Sequence, residues 1–526
     1  MSITIGEAFN ATLKKFPNKE ALYDVRSNNR YTYREWGDQI NRLAHALKLE
    51  GVKRGDRVST FLFNREELAT AFFACAKIGA VFNPINFRLL AEEIAFILED
   101  AAPKIVLFEE AVEAVVMQVE MRFPHISFWY CDRDKRPSYA ESYQDKILTA
   151  SSELVEEQLS EDDDYAIMYT SGTTGRPKGV IHRHRDMIEH SKIVVEKTKL
   201  DASDRGLIIA PMFHCAELHC AFLPRVHVGA ANVIMHHFNP VETLRTIESE
   251  KITKFFGAPT MWNMLLQEKF TKYDLSSIKL GLYGAAPMAP ALVHACQENF
   301  KVQLVQAYGM TEMGPAITFL SENDQIRKAG SAGNVIKHHE IRIVRTSEEG
   351  PSDPDDVMPI GQTGEILVKG PCMMKGYFQN EEATRKALYK DWYHTRDIGY
   401  LDEEGYLFVQ DRVDDMIISG GENIYPREVE DILYEHPSIL DVAILGQPDE
   451  RWGETVTAFI VSKDSSLTEV ELDEFCRNSH KLANYKRPRR YIFSETMPRN
   501  ASGKIQKFLL KKQLEDLSPN ENLSAN

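Results

Sequence analysis

Apolar positions in the first third of the chain switch between helical and strand spacing. The helical spacing predicts amphipathic helices over residues 36–49, 66–78 and 91–99. Short apolar runs between them predict strands over 57–63, 81–84 and 104–108. Because parallel strands need crossover connections, this alternation predicts a mostly parallel sheet covered by helices.

The same pattern continues to about residue 320 and predicts a second sheet. Its expected strands lie at 166–169, 206–210, 231–235, 254–256, 279–283 and 302–307. After Gly330 helical spacing fades, Gly and Pro become frequent, and the stretches 340–344 and 364–369 alternate like strands. We therefore expect a small β-rich subdomain to follow the two sheets.

The period changes once more at Asp411–Asp415. Beyond it the sequence predicts helices over 426–436 and 469–477 and strands over 440–445 and 456–461, a pattern typical of a small α+β domain. The predicted fold class is thus α/β, with a large N-terminal domain at 1–413, made of two βα-type sheets and the β-rich subdomain, and a C-terminal domain at 414–526.

Composition limits the functions that the chain can have. The 526 residues carry a formal net charge of −16, so the overall field repels polyanions and argues against a nucleic-acid partner. Seven cysteines without a C-x-x-C pair suit a reducing compartment, where they act as small buried side chains. The sequence lacks a long apolar run and an apolar N-terminal segment, so we expect a cytoplasmic protein without integral membrane association.

The segment Tyr169–Val180, with the sequence YTSGTTGRPKGV, has the composition of a phosphate-binding loop. Glycines let backbone N–H groups approach anionic oxygens, hydroxyls add donors, and the lysine adds a positive charge. A P-loop needs Gly before the lysine and Ser or Thr after it, whereas Pro177 and Gly179 stand there. The loop therefore predicts nucleotide chemistry of another kind.

As written, T-S-G-T-T-G-x-P-K-G resembles the signature of the adenylate-forming superfamily of acyl-CoA synthetases, luciferases and peptide-synthetase adenylation domains. Further motifs stand in the family's order from about residue 20 to about residue 510. The resemblance implies that the loop holds the phosphates of ATP through Thr170, Ser171, Gly172, Thr173, Thr174, Gly175 and Lys178. It also implies that the C-terminal domain is mobile.

Tyr308-Gly309-Met310-Thr311-Glu312 matches the family's second signature. There the resemblance assigns Thr311 to the α-phosphate and Glu312 to magnesium, with Thr174 as a further magnesium ligand. A carboxylate suits this ion, because Mg²⁺ prefers hard oxygen donors and combines them with phosphates and water.

Two other segments resemble the parts that hold the nucleoside. Tyr283–Pro287 is similar to the family's adenine loop, which places Gly284, Ala285, Ala286 and Pro287 beside the base, with Tyr308 offering a ring for stacking. Thr395–Gly399 matches the signature whose aspartate, here Asp397, accepts hydrogen bonds from the ribose hydroxyls. Arg412 matches an arginine near the ribose or phosphates.

The C-terminal domain carries the remaining motifs. Asn500–Ile505 resembles the last signature, whose lysine, here Lys504, catalyses adenylation by offsetting the charge of two approaching anions. The loop with Gly420 and Gly421 resembles the coenzyme A loop, and Asp414 resembles the hinge between the domains.

His214, in Pro-Met-Phe-His, resembles the family's gate to the acyl site, although a buried structural histidine remains an alternative. Gly257–Trp262 resembles the lining of the acyl pocket. Apolar bulk for that pocket comes from Phe256, Trp262, Met288, Met310 and Met313.

These motifs predict an acid:CoA ligase that uses ATP, Mg²⁺ and coenzyme A. The first expectation for the acid is a medium- or long-chain fatty acid, with an aryl acid such as a benzoate or cinnamate as the alternative. A ligase that loads a carrier protein and a catalytically silent nucleotide-binding protein also stay open, and so does the oligomeric state, a homodimer included.

Overall fold

The computed structural model describes residues 3–133, 135–155, 157–170, 177–286, 288–347, 350–412, 415–419, 422–449, 451–479, 482–499 and 505–516. Its chain divides into two compact units. Unit 1 comprises Met1–Glu340 and Val368–Tyr393, and unit 2 comprises Ile341–Leu367 and His394–Asn526. The predicted domain boundary at Asp414 lies outside the described residues and stays a prediction.

The helices, in chain order, are α1 (Ile5–Lys15), α2 (Tyr33–Leu49), α3 (Glu66–Ile78), α4 (Ala91–Ala101), α5 (Glu110–Val116), α6 (Tyr143–Thr149), α7 (His184–Lys197), α8 (Cys215–Glu217), α9 (Leu223–Val228), α10 (Pro240–Glu250), α11 (Pro259–Gln267), α12 (Pro290–Phe300), α13 (Glu381–Ala387), α14 (Pro426–Tyr434), α15 (Glu469–Asn478) and α16 (Lys507–Asp516).

The strands are β1 (Glu20–Asp24), β2 (Asn29–Thr32), β3 (Arg57–Phe61), β4 (Val81–Pro84), β5 (Ile105–Phe108), β6 (Ser127–Tyr130), β7 (Glu141–Ser142), β8 (Asp164–Thr170), β9 (Lys178–Arg183), β10 (Arg205–Ile208), β11 (Ala231–Ile234), β12 (Lys254–Phe256), β13 (Leu280–Gly284), β14 (Gln303–Gly309), β15 (Ala316–Leu320), β16 (Asn334–Val335), β17 (Glu340–Val344), β18 (Gly364–Lys369), β19 (Gly376–Tyr377), β20 (Leu388–Tyr389), β21 (Trp392–Leu401), β22 (Leu407–Arg412), β23 (Ile417–Ser419), β24 (Glu422–Ile424), β25 (Ile439–Asp449), β26 (Gly453–Ser462) and β27 (Arg490–Phe493).

Unit 1 contains the two predicted sheets. One has the strand order β16-β15-β14-β13-β12-β10-β11-β1-β2 and the other the order β19-β9-β8-β4-β3-β5-β6-β7. The inner strands β10 to β14 and β3 to β6 pair in parallel, as the βα alternation predicts. The α/β fold class is therefore confirmed.

Local sequence determines where the helices begin and which side they bury. At the start of α2 the Thr32 hydroxyl accepts from the Glu35 N–H at 3.2 Å, while the Glu35 carboxylate accepts from the Thr32 N–H at 2.8 Å. In α3 every residue from Glu66 to Ile78 is buried, which explains why apolar and small side chains occur all round this helix.

A group of ion pairs that we call the Glu109 clamp joins the carboxyl ends of strands from both sheets. It consists of Arg26 after β1, Arg65 after β3, Glu109 after β5, Asp132 after β6 and His236 after β11. Glu109 Oε2 lies 2.6 Å from Arg26, 3.0 Å from Arg65 and 2.9 Å from His236. Asp132 accepts from both arginines, at 3.1 and 3.0 Å.

Two strands were predicted to end two residues later than they do, and in both cases a side chain from elsewhere binds the residues beyond the strand. β3 ends at Phe61 because the N–H of Phe63 donates to Glu109 Oε1 at 2.6 Å. β10 ends before Ala210, whose carbonyl accepts from the Asn64 amide at 2.9 Å. Tertiary hydrogen bonds of this kind leave no periodic signal in the sequence.

The expected loss of helical structure after Gly330 was also wrong at one place. Residues 381–387 form α13, and the Asn380 side chain caps it by accepting from the Ala383 N–H at 3.0 Å. This short helix belongs to the part of unit 1 that follows Val368.

Unit 2 contains the predicted elements of the α+β domain as α14, α15, β25 and β26, together with further strands. β21 and β22 pair antiparallel, and a second sheet has the order β24-β23-β26-β25, with β27 parallel to β26. Helices α14 and α15 pack their apolar sides on this sheet through Val429, Leu433 and Leu472.

The seven cysteines are free and buried, as expected. Among the residues that the structure describes, no helix has the length and apolar character required to cross a membrane.

Candidate active site

Three groups of predicted site residues in unit 1 lie at the carboxyl ends of parallel strands. β12, β13 and β14 run in parallel, so Gly257, the pair Ala285 and Ala286, and the segment 308–310 lie along one edge of the sheet. In open α/β sheets, ligands bind in the crevice outside this edge. The fold thus places the predicted adenine loop next to the Tyr308 motif.

Backbone packing explains the glycines of these two motifs. A Cβ on Gly284 would lie 2.4 Å from the Ala307 carbonyl oxygen, and one on Gly309 would lie 1.8 Å from the Pro315 carbonyl oxygen. Ala285 adopts the left-handed region with φ of 65°, which costs a non-glycine residue roughly 1 kcal/mol or more. Such strain is common where backbone is shaped for a ligand.

The phosphate loop connects β8 and β9 of the other sheet. These strands are antiparallel, and Thr170 and Lys178 are register partners at the two ends of the loop. The predicted residues Ser171, Gly172, Thr173, Thr174 and Gly175 lie outside the described part of the chain. The structure therefore fixes the entry and the exit of the loop, and Lys178 occupies the exit.

Glu312 lies in a short 3-10 helix, Thr311–Met313, directly after the Tyr308 motif. Its side chain is only 8% exposed, and its Oε1 accepts a hydrogen bond from the Tyr377 hydroxyl at 2.9 Å. Its backbone carbonyl accepts from the Met374 N–H at 2.8 Å. The Lys178 ammonium lies over the Tyr377 ring, 5.1 Å from its centroid.

Thr311 is held by two buried residues. The His182 Nε2 lies 2.6 Å from the Thr311 carbonyl oxygen, and the Cys215 Sγ lies 3.2 Å from the Thr311 hydroxyl. Burial lowers the pKa of His182 to about 4, so the ring is neutral near pH 7 and can donate through Nε2. Both contacts fix the turn that carries Glu312.

His214 precedes the short helix α8 and is partly buried. Its Nδ1 accepts from the Ala216 N–H at 3.2 Å, and burial lowers the pKa of the ring to about 4. The preceding turn is held by Asn64, whose Oδ1 accepts from the Met212 N–H at 2.8 Å. His214 therefore offers an uncharged ring at this position.

The apolar residues expected at the acyl pocket differ in their surroundings. Trp262 is fully buried and stacks on Phe255 with ring centroids 4.5 Å apart, so it is part of the core of unit 1. Met313 is also fully buried, whereas Met310 is half-buried at the sheet edge. Of these three side chains, Met310 has the accessible surface that contact with a substrate requires.

In unit 2 the strand register brings two predicted residues together. Asp397 on β21 is the partner of Arg412 on β22, and the Asp397 N–H donates to the Thr395 hydroxyl at 3.0 Å. The side chain of Arg412 and the predicted residues Pro287, Asp414, Gly420, Gly421 and Lys504 lie outside the described part of the chain.

Four residues that hold this site lie outside the sequence motifs: Asn64, His182, Cys215 and Tyr377. Each acts through a hydrogen bond to a residue far away in sequence, so local composition contains no signal for it. Tyr377 could be found only by asking which tyrosine or amide donates to the buried Glu312 carboxylate.

The donor set of the site fits magnesium. Mg²⁺ is usually bound by one or two carboxylates together with phosphate oxygens and water. Glu312 offers a carboxylate whose Oε1 is held by Tyr377, so its Oε2 can serve as a ligand. Tyr377 contacts both Glu312 and Lys178, so this arrangement can bind a polyphosphate and its metal ion.

Two family models match this chain. A model described as "AMP-binding enzyme" matches residues 9–378, and a second, described as "AMP-binding enzyme C-terminal domain", matches residues 428–504. The first match contains the loop, the Tyr308 motif and Tyr377.

Similar proteins include ligases of different acids. The long-chain-fatty-acid–CoA ligase FadD13 of Mycobacterium tuberculosis is 33% identical, with 94% of this chain and 96% of that protein covered. A feruloyl-CoA synthase of an Amycolatopsis species is 36% identical, with 90% and 92% covered. The solved structure of the anthranilate CoA ligase AuaEII with anthranoyl-AMP has a TM-score of 0.89 and 28% identity, with 98% and 97% covered.

Proposed function

Because the chain belongs to the AMP-binding enzyme family, we propose that it converts a medium- or long-chain fatty acid to its CoA thioester. The protein is an AMP-forming acyl-CoA synthetase that uses ATP, Mg²⁺ and coenzyme A. A carboxylate attacks the α-phosphorus of ATP and pyrophosphate leaves. The thiol of coenzyme A then attacks the acyl carbon, and AMP leaves with the electrons of the broken C–O bond.

The single observation that carries the assignment of residues is that Tyr377 contacts both Glu312, through its hydroxyl, and Lys178, through its ring. In this proposal Lys178 and Thr170 bind the departing phosphates at the ends of the loop. Glu312 binds magnesium through Oε2, and the ion when bound neutralises charge on the phosphates. Thr311 donates its hydroxyl to the α-phosphate while accepting from Cys215.

We assign the nucleoside to the remaining motif segments. We assign the adenine to the strand ends at Gly284 and Tyr308, which the parallel register of β13 and β14 places side by side. Asp397 binds the ribose hydroxyls, because a carboxylate accepts both. Arg412 is its register partner on β22, and we assign it to the ribose or phosphate region.

The two half-reactions use different residues of the C-terminal segment. Lys504 bridges the attacking carboxylate and the α-phosphate, and the loop at Gly420 and Gly421 meets coenzyme A. One orientation of a small domain does not present both to one site, so we propose a rotation about Asp414 between the half-reactions.

The uncharged ring of His214, the residue that resembles the gate to the acyl site, supports a hydrophobic acid as the substrate. Burial keeps His214 neutral near pH 7, and Met310 adds a half-buried apolar side chain at the same edge. Neither residue distinguishes an alkyl chain from a ring. FadD13 supports the fatty acid, whereas the feruloyl and anthranilate ligases support an aryl acid as the second candidate.

A panel of acids tests the substrate. Alkanoic acids of increasing length and benzoate, cinnamate and their hydroxy derivatives are compared by kcat/KM for AMP formation, with and without coenzyme A. We expect kcat/KM to rise with alkyl length and to exceed that of the aryl acids. The highest kcat/KM with cinnamate would favour the aryl acid as the substrate. Turnover that requires a pantetheine-bearing carrier protein would favour a ligase that loads a carrier protein.

Replacement of Lys504 by alanine tests the division of the two steps. We expect pyrophosphate exchange to fall by about 100-fold or more, because a preorganised charge at the transferring group is lost. Thioester formation from preformed acyl adenylate should stay close to the rate of the unmodified enzyme. An equal loss in both half-reactions contradicts the proposed role of Lys504.

A further inference from the structure

We propose that Tyr377 is a positioning residue that orients the Glu312 carboxylate through its hydroxyl and holds Lys178 against its ring. This inference rests on the proposed function, since it assumes that Glu312 and Lys178 bind magnesium and phosphate. It adds a residue from outside the sequence motifs and assigns separate tasks to two parts of one side chain.

The hydroxyl of Tyr377 determines which oxygen of Glu312 is available. The bond from the hydroxyl to Oε1 is 2.9 Å long, and both residues are 8% exposed, so water competes little for it. A carboxylate held at one oxygen rotates less about its terminal torsion. Oε2 is thereby presented in one direction, as residues that hydrogen-bond to metal ligands commonly achieve.

The ring of Tyr377 acts on the lysine. Lys178 Nζ lies 5.1 Å from the ring centroid, within the range of a cation–π contact. This attraction is weaker than an ion pair with phosphate, so the ring keeps the ammonium at the exit of the loop without preventing its transfer to a bound phosphate.

Tyr377 can position Glu312 and Lys178 because its own backbone is held by neighbouring elements. It lies on β19, where it pairs with Val180 of β9, two residues from Lys178. Its N–H donates to the Thr384 hydroxyl at 2.9 Å, and the N–H of Phe378 donates to the Gly179 carbonyl at 2.7 Å. The anchors therefore come from the strand that carries Lys178 and from α13.

Two substitutions separate the two tasks. Tyr377→Phe removes the hydroxyl but keeps the ring, whereas Tyr377→Leu removes both. Tyr389→Phe is the matched control, because Tyr389 is 37% exposed and its ring also lies near a lysine, with Lys390 Nζ 5.6 Å from its centroid. Thermal unfolding of each variant checks that it is folded.

Binding is measured without turnover. Electron paramagnetic resonance follows Mn²⁺ uptake in the presence of ATP, and calorimetry follows ATP binding in a chelator. We expect Tyr377→Phe to weaken Mn²⁺ binding about 10-fold. The affinity for ATP measured in the presence of a chelator should stay unchanged. Tyr377→Leu should also weaken ATP binding in chelator, by about 2- to 5-fold. Unchanged Mn²⁺ binding in a folded Tyr377→Phe protein overturns the proposal.

A double-mutant cycle distinguishes this inference from the proposed function. In a Glu312→Gln background, Tyr377→Phe should cost no further Mn²⁺ affinity, because the hydroxyl acts through the carboxylate. The same loss in both backgrounds means that Tyr377 acts through the fold, and the inference fails alone. Full Mn²⁺ binding by the Glu312→Gln protein itself overturns both the metal assignment and the role of Tyr377.

Discussion

The Glu109 clamp and the Glu312 site lie at corresponding places in unit 1, since both follow the carboxyl ends of parallel strands. Glu109 is fully buried and accepts from Arg26, Arg65, His236 and the Phe63 N–H. Glu312 is almost as buried, but its described side-chain donor is the Tyr377 hydroxyl.

The difference shows what separates a structural carboxylate from one that is ready for a ligand. In the clamp, donors from both sheets occupy the lone pairs of Glu109, so removing a partner leaves charge buried without compensation. At the site, one weakly acidic hydroxyl holds one oxygen and leaves the charge of Glu312 for a cation. Glu109 and Glu312 both follow the carboxyl ends of parallel strands, and their hydrogen-bond donors determine whether each carboxylate is structural or available to a ligand.

The largest effect on stability should come from breaking the clamp. We expect Glu109→Gln to lower the free energy of unfolding by about 3 kcal/mol, because the buried Arg65 loses a charged partner. Urea denaturation measures the change, and Glu110→Gln, at the exposed next residue, is the control. A loss below about 1 kcal/mol in the Glu109 variant would break the comparison.

The pH dependence of stability should distinguish the clamp from the buried histidines of unit 1. Burial lowers the pKa of His190 to about 3, and its Nε2 accepts from the Ala316 N–H at 3.1 Å. The unfolded chain binds a proton near pH 6.5 and the folded chain does not, so stability falls as pH decreases through that value.

His190→Gln keeps an acceptor for Ala316 but does not titrate. We expect the variant to lose about 2 kcal/mol less stability than the unmodified protein between about pH 7 and about pH 5. His294→Gln, with a side chain 57% exposed, is the control. Parallel stability curves for His190→Gln and the unmodified protein contradict this prediction.

The clamp should respond at lower pH. Burial alone would raise the pKa of Glu109, but the hydrogen bond from His236 and the charge of Arg65 lower it to about 2. Its stabilisation is therefore complete above about pH 4.5 and is lost as pH falls toward about pH 2. The interval between about pH 6.5 and about pH 4.5 thus reports the histidines separately from Glu109.

The smallest effect on stability should come from Glu312→Gln. The amide oxygen still accepts from Tyr377, so the free energy of unfolding should change by about 1 kcal/mol or less. The rate of pyrophosphate exchange at low magnesium should fall by about 10- to 100-fold, because a hard anionic ligand is lost. Destabilisation equal to that of Glu109→Gln would remove the distinction between the two carboxylates.

Much of the fold could be predicted because its signals are local. The helix over 66–78 and the strands over 81–84 and 254–256 were predicted with the bounds that the structure has, since continuous apolar runs and clear ends identify them. The ends of β3 and β10 could not be predicted, because Glu109 and Asn64 determine them from other parts of the chain.

The candidate site divides in the same way. Lys178 and Glu312 lie in motifs, and the sequence identified them. Tyr377 is 65 positions from Glu312 and shares no motif with it, so only the folded chain reveals their contact. Side chains that support a site are selected by three-dimensional proximity, which a motif does not record.

The discontinuity of unit 1 has a consequence for synthesis of the protein. A ribosome completes the loop and Glu312 long before it adds Val368–Tyr393, the segment that brings Tyr377. We expect the nascent chain to bind metal-complexed nucleotide weakly until that segment has left the exit tunnel. The order of translation would then delay ATP consumption until most of the polypeptide exists.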